Sequence, residues 1–270
     1  MAGAGAVLLA WLVAILLPAA AGAGPWPRAP GELFVATTLE AGRDRVAGGM
    51  ASDAGLYAEY GLGPVWTMEL RAGRASGGDL ADRYRAMVLL RPAIGTPGGQ
   101  NRFAFSLGAG VETGFLPGYS YSVPQAPWPF FTPAPQRHVT VGPQPVTRGV
   151  LRIGLGAGRG FETLPGGRAL PGWAAIELAA DLRRGGTALR ADATFGIRPD
   201  PRLMLVARLQ TYRARGDALQ ARFVPSAVWE LRPGLNLELG ARIGLRDARD
   251  TRIMLGTWLT RPPRRAVSHP

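Results

Sequence analysis

The sequence predicts an all-β fold: a single transmembrane antiparallel up-and-down β-barrel of about 12 strands behind a cleaved signal peptide. Three observations predict it. Apolar and polar residues alternate with a period of two in one segment after another, which gives each strand one greasy and one wet face. Tight turns rich in Gly and Pro alternate with longer links, as they do when hairpins have short turns on one side of a membrane and loops on the other. Beyond an N-terminal apolar run, no segment approaches the ~18 consecutive apolar residues of a spanning helix.

Residues 1–23 read as an export signal. Val7 to Ala21 is apolar and too short for a comfortable span, and Ala21-Gly22-Ala23 offers the small-x-small pattern of a cleavage site. The first residues carry no Lys or Arg, so only the α-amine supplies the positive end. No cysteine exists anywhere, which excludes a lipoprotein anchor, a disulfide framework and a thiol nucleophile.

Residues 24–260 then supply the barrel. In the first strands Leu33, Val35, Thr37 and Leu39 alternate with Glu32, Ala36, Thr38 and Glu40. Leu56, Ala58 and Tyr60 then alternate with Tyr57 and Glu59, and Trp66, Met68 and Leu70 with Thr67, Glu69 and Arg71. Tyr84, Ala86, Val88 and Leu90 oppose Arg83, Arg85 and Arg91. Phe103 to Val111 oppose Arg102 to Glu112, and Leu151, Ile153 and Leu155 oppose Arg152, Gly154 and Gly156. The second half continues with Ala174 to Leu182 against Glu177 and Asp181, and Leu189 to Ile197 against Arg190 and Asp192. Leu203 to Leu209 face Arg202 and Arg208, and Leu219 to Trp229 face Gln220 and Arg222. Leu235 to Leu245 give the cleanest alternation, against Asn236, Glu238, Arg242 and Arg246, and a last strand runs near Arg252 to Thr260. Residues 261–270 form a basic Pro/Arg tail.

The turns Gly61 to Pro64, Ala93 to Gln100, Arg198 to Pro201 and Leu231 to Gly234 fall on the inner side. Ala41 to Asp53, Arg74 to Asp82 and Pro117 to Val146 fall on the outer side. Two links depart from this scheme: Gly158 to Pro171 is long for an inner turn, and Arg183 to Gly186 is short for an outer loop. A soluble sandwich or lipocalin-like barrel would alternate too. Lipid is favoured by aromatics at the inner rim (Tyr60, Trp66, Phe103, Phe195, Trp229), by glycines on the polar face, and by the lack of charge on the apolar one.

The hairpin Gly55-Leu-Tyr-Ala-Glu-Tyr-Gly-Leu62, running into Trp66-Thr-Met-Glu-Leu-Arg-Ala-Gly73, resembles one in uncharacterised outer-membrane β-barrel proteins of Gram-negative bacteria. The resemblance covers less than a tenth of the chain. It implies the barrel fold and a place in the cell outer membrane, and no activity. The chain lacks a terminal closing aromatic, because Trp258 is followed by Leu259, Thr260 and the tail.

All 31 basic residues are arginine, and the net charge is +12, unchanged by signal removal because residues 1–24 carry no charged side chain. Such an excess points to anionic partners: outer-membrane lipid and lipopolysaccharide, or small acidic solutes. The face that would line the lumen carries Arg71, Arg83, Arg85, Arg102, Arg152, Arg190, Arg208, Arg222 and Arg242 with Glu112, Glu177, Asp181, Asp192 and Glu238. The functional expectation is a passive channel for small, anionic solutes. The alternative is a closed structural, adhesive or envelope-assembly barrel whose charges pair and plug it. A third reading, an outer-membrane lipid hydrolase, rests only on His138 with Ser120 or Ser122, without supporting spacing. No cofactor or metal site is implied, with His138 and His269 the only histidines. Arginines dispersed singly along strands, without a stacking platform, argue against nucleic acid. The sequence sets no oligomeric state. Gly108 and Gly110 before the longest loop, and Gly154 and Gly156 after it, suggest interior room into which residues 117–146 would fold as a constriction, through Tyr119, Ser120, Tyr121, Trp128, Phe130, Phe131 and His138; the alternative is an exposed loop stiffened by its many prolines.

Overall fold

The first and last strands close the wall. In a computed structural model, β1 (Leu33–Asp44) pairs antiparallel along its whole length with β14 (Asp250–Arg261), from Leu33↔Arg261 to Asp44↔Asp250. The structure describes residues 25–44, 49–77, 80–95, 100–116, 119–124, 136–142, 144–163, 169–246 and 250–263. Between these ends run β2 (Met50–Gly61), β3 (Trp66–Gly77), β4 (Leu80–Ile94), β5 (Asn101–Leu116), β6 (Tyr119–Pro124), β7 (Gln136–Val141) and β8 (Gln144–Thr163). They are followed by β9 (Ala169–Arg183), β10 (Gly186–Asp200), β11 (Leu203–Ala214), β12 (Gln220–Arg232) and β13 (Leu235–Arg246). Twelve of them form a closed antiparallel barrel in the order β1-β14-β13-β12-β11-β10-β9-β8-β5-β4-β3-β2. Each of the twelve expected segments lies on its own barrel strand. The signal at 1–23 lies outside the described residues, as does the tail beyond Pro263.

Strand ends differ from the sequence expectation. Asp53 belongs to β2, Arg74 to β3, Asp82 to β4 and Arg183 to β9, because pairing continues past the apolar band into charged ladders. The long inner link is likewise consumed by strand: β8 reaches Thr163 and β9 begins at Ala169. Where turns are tight, glycine supplies the backbone. Gly185 (φ +101) closes β9 to β10 and Gly234 (φ +80) closes β12 to β13, a region of φ that Cβ disfavours.

The wall is inverted relative to a soluble barrel. Leu155, Leu178, Leu189 and Ile253 on the apolar face are 60, 50, 58 and 75% exposed. On the opposite face Glu69, Asp181 and Glu238 are 1, 0 and 1% exposed. A soluble fold would strand that apolar area in water, so this is a barrel built for hydrocarbon outside and polar groups within. Tyr60, Trp66, Phe103 and Trp229 stand exposed at the end where β1 begins and β14 ends, and Phe195 stacks on Phe161 with ring centroids 5.5 Å apart. That end, which also carries the tight turns after β10 and β12, is the inner one.

Candidate functional site: the barrel interior

At the inner mouth, the residues preceding β1 turn into the lumen. Pro25 packs over Gly156 and Gly158, where a Cβ on Gly158 would lie only 2.6 Å from the proline Cγ. Trp26 joins Trp173, Met204, Val206, Val228 and Trp258 in an apolar cluster inside the wall. Arg28 N–H donates to Thr67 Oγ1 at 3.0 Å, and its guanidinium donates to Glu59 at 2.5 Å and to Glu32 at 3.2 Å. Gly31 N–H donates to the Gly61 carbonyl at 2.8 Å. The segment is therefore anchored by backbone, charge and apolar contact at once.

The interior glycines thus make room for near neighbours. Gly108 and Gly110 lie beneath the buried Leu89 and Met87 side chains, Gly154 faces Ser106, and Gly156 and Gly158 accept Pro25 and Trp26. The room these glycines leave is taken up by those neighbours. β6 and β7 pair as a two-stranded ribbon separate from the barrel sheet. Whether residues 117–146 constrict the mouth falls on Trp128, Phe130, Phe131 and side chains of Tyr119, Ser120, Tyr121 and His138, all outside the described residues. Backbone register sets Ser122 opposite His138.

Above the segment lies a chain of ion pairs. Tyr57 O–H donates to Glu59 at 2.6 Å, Arg91 bridges Glu59 and Glu69, and Arg71 also pairs with Glu69. Arg71 then reaches Glu177 on the facing part of the wall, Nη2 to Oε1 at 3.1 Å. On the neighbouring wall, Glu238 accepts from Arg208, from Ser226 Oγ at 2.7 Å and from Trp258 Nε1 at 2.8 Å. Every lone pair so used lowers the cost of holding the carboxylate away from bulk water.

Toward the outer end, Asp181 is a hub. Arg152 Nε, Arg85 Nη2 and Arg190 Nε donate to it at 2.6, 2.9 and 3.0 Å, and Arg183 Nη2 stands 3.6 Å away. Arg183 also pairs with Glu112 at 3.1 Å. Opposite, Arg242 joins Glu40 and Asp53 at 2.8 and 2.9 Å, and Arg252 joins Asp53 at 2.7 Å. These groups surround an outer vestibule whose lining holds eleven arginines and four carboxylates. An inner chamber runs beside the N-terminal segment, and the two share Thr38, Gly55 and Arg71.

Of the residues singled out by sequence, the structure therefore brings Arg85, Arg152, Arg190, Asp181 and Glu112 together, and joins Arg71 to Glu177, Arg208 to Glu238 and Arg242 to acids on β1 and β2. Arg83 and Arg222 line the vestibule, Asp192 lies beside Pro25 in a smaller recess, and Arg102 is buried at 7% exposure near the inner end of β5. Sequence reasoning missed Asp53 and Arg183, which it had assigned to loops. It also missed Arg28, which sits in no alternating segment and left no periodic signal. Among the described residues no group of His, Asp and Glu has the makings of a metal site.

No family model matches the chain, and no curated protein sequence matches it. Solved structures match in fold. The KdgM porin in complex with disordered oligogalacturonate is 8% identical, with 84% of this chain and 98% of that chain covered and a TM-score of 0.50. The translocator domain of the autotransporter NalP from Neisseria meningitidis is 13% identical over 94% of each chain, with a TM-score of 0.48. An outer membrane channel from Pseudomonas putida F1 is 13% identical, covering 90% of this chain and 100% of that chain, with a TM-score of 0.48. At such identities the likeness is one of fold: the chain is an outer-membrane-type β-barrel.

Proposed function

We propose that the chain is a passive channel of the Gram-negative outer membrane that passes small anionic solutes. The observation that carries this reading is the excess of guanidinium over carboxylate around the outer vestibule. Fixed charge of one sign on the wall of a narrow aqueous space concentrates counter-ions there and repels co-ions. The meeting of the two chambers at Arg71 supplies the route. Outside the barrel, Arg43 and Arg213 extend the lipid-facing sides of β1 and β11 at the outer rim, the level at which lipopolysaccharide phosphates lie, so lipopolysaccharide is the proposed lipid partner.

A second reading has its own support. The Arg71–Glu177 pair crosses the route and the N-terminal segment narrows the inner mouth, as a closed structural barrel would require. Single-channel conductance of the refolded chain in a planar bilayer, with the reversal potential taken under a salt gradient, separates the two. Steady anion-selective openings are expected. Silence from a folded barrel, or cation preference, rejects the channel for anions.

A further inference from the structure

We propose that the Asp181 cluster is a binding site for a phosphate dianion, either inorganic phosphate or the phosphate group of a monoester; the proposal rests on the channel reading only for how the ligand arrives. Four guanidiniums, those of Arg85, Arg152, Arg183 and Arg190, converge on one carboxylate that is itself 0% exposed. Glu112 adds a second acid at Arg183. The cluster keeps an excess of two positive charges, and it keeps them fixed. Asp181 is the anchor that orients three of the arginines through hydrogen bonds of 2.6 to 3.1 Å. Tyr212 holds two of the four as well: the Arg190 guanidinium lies 4.7 Å from its ring centroid, and Arg183 Nη1 stands 3.4 Å from its hydroxyl.

The ligand side of this arrangement is equally specific. The contacts with Asp181 use Nη2 of Arg85 and Nε of Arg190, so further N–H edges remain on both planar groups. Arg85, Arg183 and Arg190 stay 25, 18 and 32% exposed, and all three line the vestibule. Arg85 arrives from β4, three strands round the wall from β9, whereas Arg183 and Arg190 arrive from the adjacent β9 and β10. One fork satisfies a planar carboxylate, whereas a tetrahedral group with three equivalent oxygens and up to two charges is matched by several guanidiniums that converge on it. Because the arginines are already held, little side-chain freedom is lost on binding.

The test is calorimetric titration of the refolded full barrel in detergent with inorganic phosphate, with sodium acetate at equal ionic strength as the comparison. Saturable phosphate binding is expected, at least about tenfold tighter than acetate. Arg190→Gln, checked for folding by its far-ultraviolet β signature, should weaken it about tenfold, the worth of one charge-assisted contact. Tyr212→Phe, which keeps the ring under Arg190, should weaken it less. Absence of saturable phosphate binding, equal binding of acetate, or an unchanged Arg190→Gln variant overturns the site. The bilayer experiment is independent of it. Anion-selective current without phosphate binding rejects the site and retains the channel, and phosphate binding to a silent barrel retains the site and rejects the channel.

Discussion

Arg71 on β3 and Glu177 on β9 are joined across the lumen, Nη2 to Oε1 at 3.1 Å, although four steps round the wall separate their strands. A ladder neighbour would stabilise the wall alone. This pair instead stands where the outer and inner chambers meet, and Arg71 also holds Glu69. Arg71 lines both chambers and Glu177 the inner one, so both charges face the space that the proposed route uses.

Changing Glu177→Gln should therefore raise anion preference, and Arg71→Gln should lower it. Removing a unit charge about 5 Å from the path alters the energy of a passing ion by about 0.8 kcal/mol at the dielectric of water, about fourfold in relative occupancy. Reversal potentials of the two variants under a salt gradient measure this, and the opposite signs matter more than either magnitude. Equal shifts in the same direction would mean that the pair acts by shape.

The twelve barrel strands were legible because period two is enforced wherever one face meets apolar surroundings and the other does not. Leu235 to Arg246 states that pattern without a break, and β13 carries it. Legibility failed where the physics behind the pattern stops. Above the apolar band, Asp53 and Arg183 alternate with other small or polar residues and read as loop, although backbone pairing continues through them. Met204 and Val206 face inward beneath Trp26, so residues 203–207 are apolar on both faces and lose their alternation. The lumenal segment from Pro25 to Gly31 obeys no repeat at all. Its only advance sign is the glycine pair at 154 and 156, which names a vacancy without naming its occupant.

The N-terminal segment should act as a narrowing of the inner mouth that the barrel itself does not need. β1 closes on β14 through a full ladder beginning at Leu33, after the segment ends. The pair of changes Trp26→Ala and Arg28→Ala removes its apolar and ionic anchors, and the burial of the indole alone is worth about 2 kcal/mol. Conductance should rise while the chain still folds into bilayers. An unchanged conductance would show that the segment lies off the ion path. Gly158→Leu, which places bulk where Pro25 packs, should produce the same rise by a different route.

Glu238 is 1% exposed and is the shared acceptor of Arg208, Ser226 and Trp258. Glu238→Gln keeps the shape and most hydrogen bonds but leaves Arg208 without its countercharge. Arg208 is 26% exposed to the lumen, so water offsets part of that loss, and a destabilisation of about 1–3 kcal/mol is expected. Urea unfolding of the barrel from vesicles measures it. The double change Glu238→Gln with Arg208→Gln should recover much of the loss, because the penalty belongs to the unpaired cation.

Leu155 tests the orientation of the whole wall. It lies in β8 on the apolar face, pairs across to Phe105 and Leu178, and is 60% exposed. In a soluble barrel, an arginine at such an open position would cost almost nothing. With hydrocarbon against that face, Leu155→Arg should destabilise the barrel by about 2–4 kcal/mol near the bilayer midplane. The inward neighbour Gly154 faces Ser106 instead, so the cost at the two positions has different origins. Comparing Leu155→Arg in thick-tailed and thin-tailed phospholipid vesicles separates them, since only a lipid-facing charge becomes cheaper as the interface moves toward it. A cost that ignores bilayer thickness would reject the lipid-facing assignment.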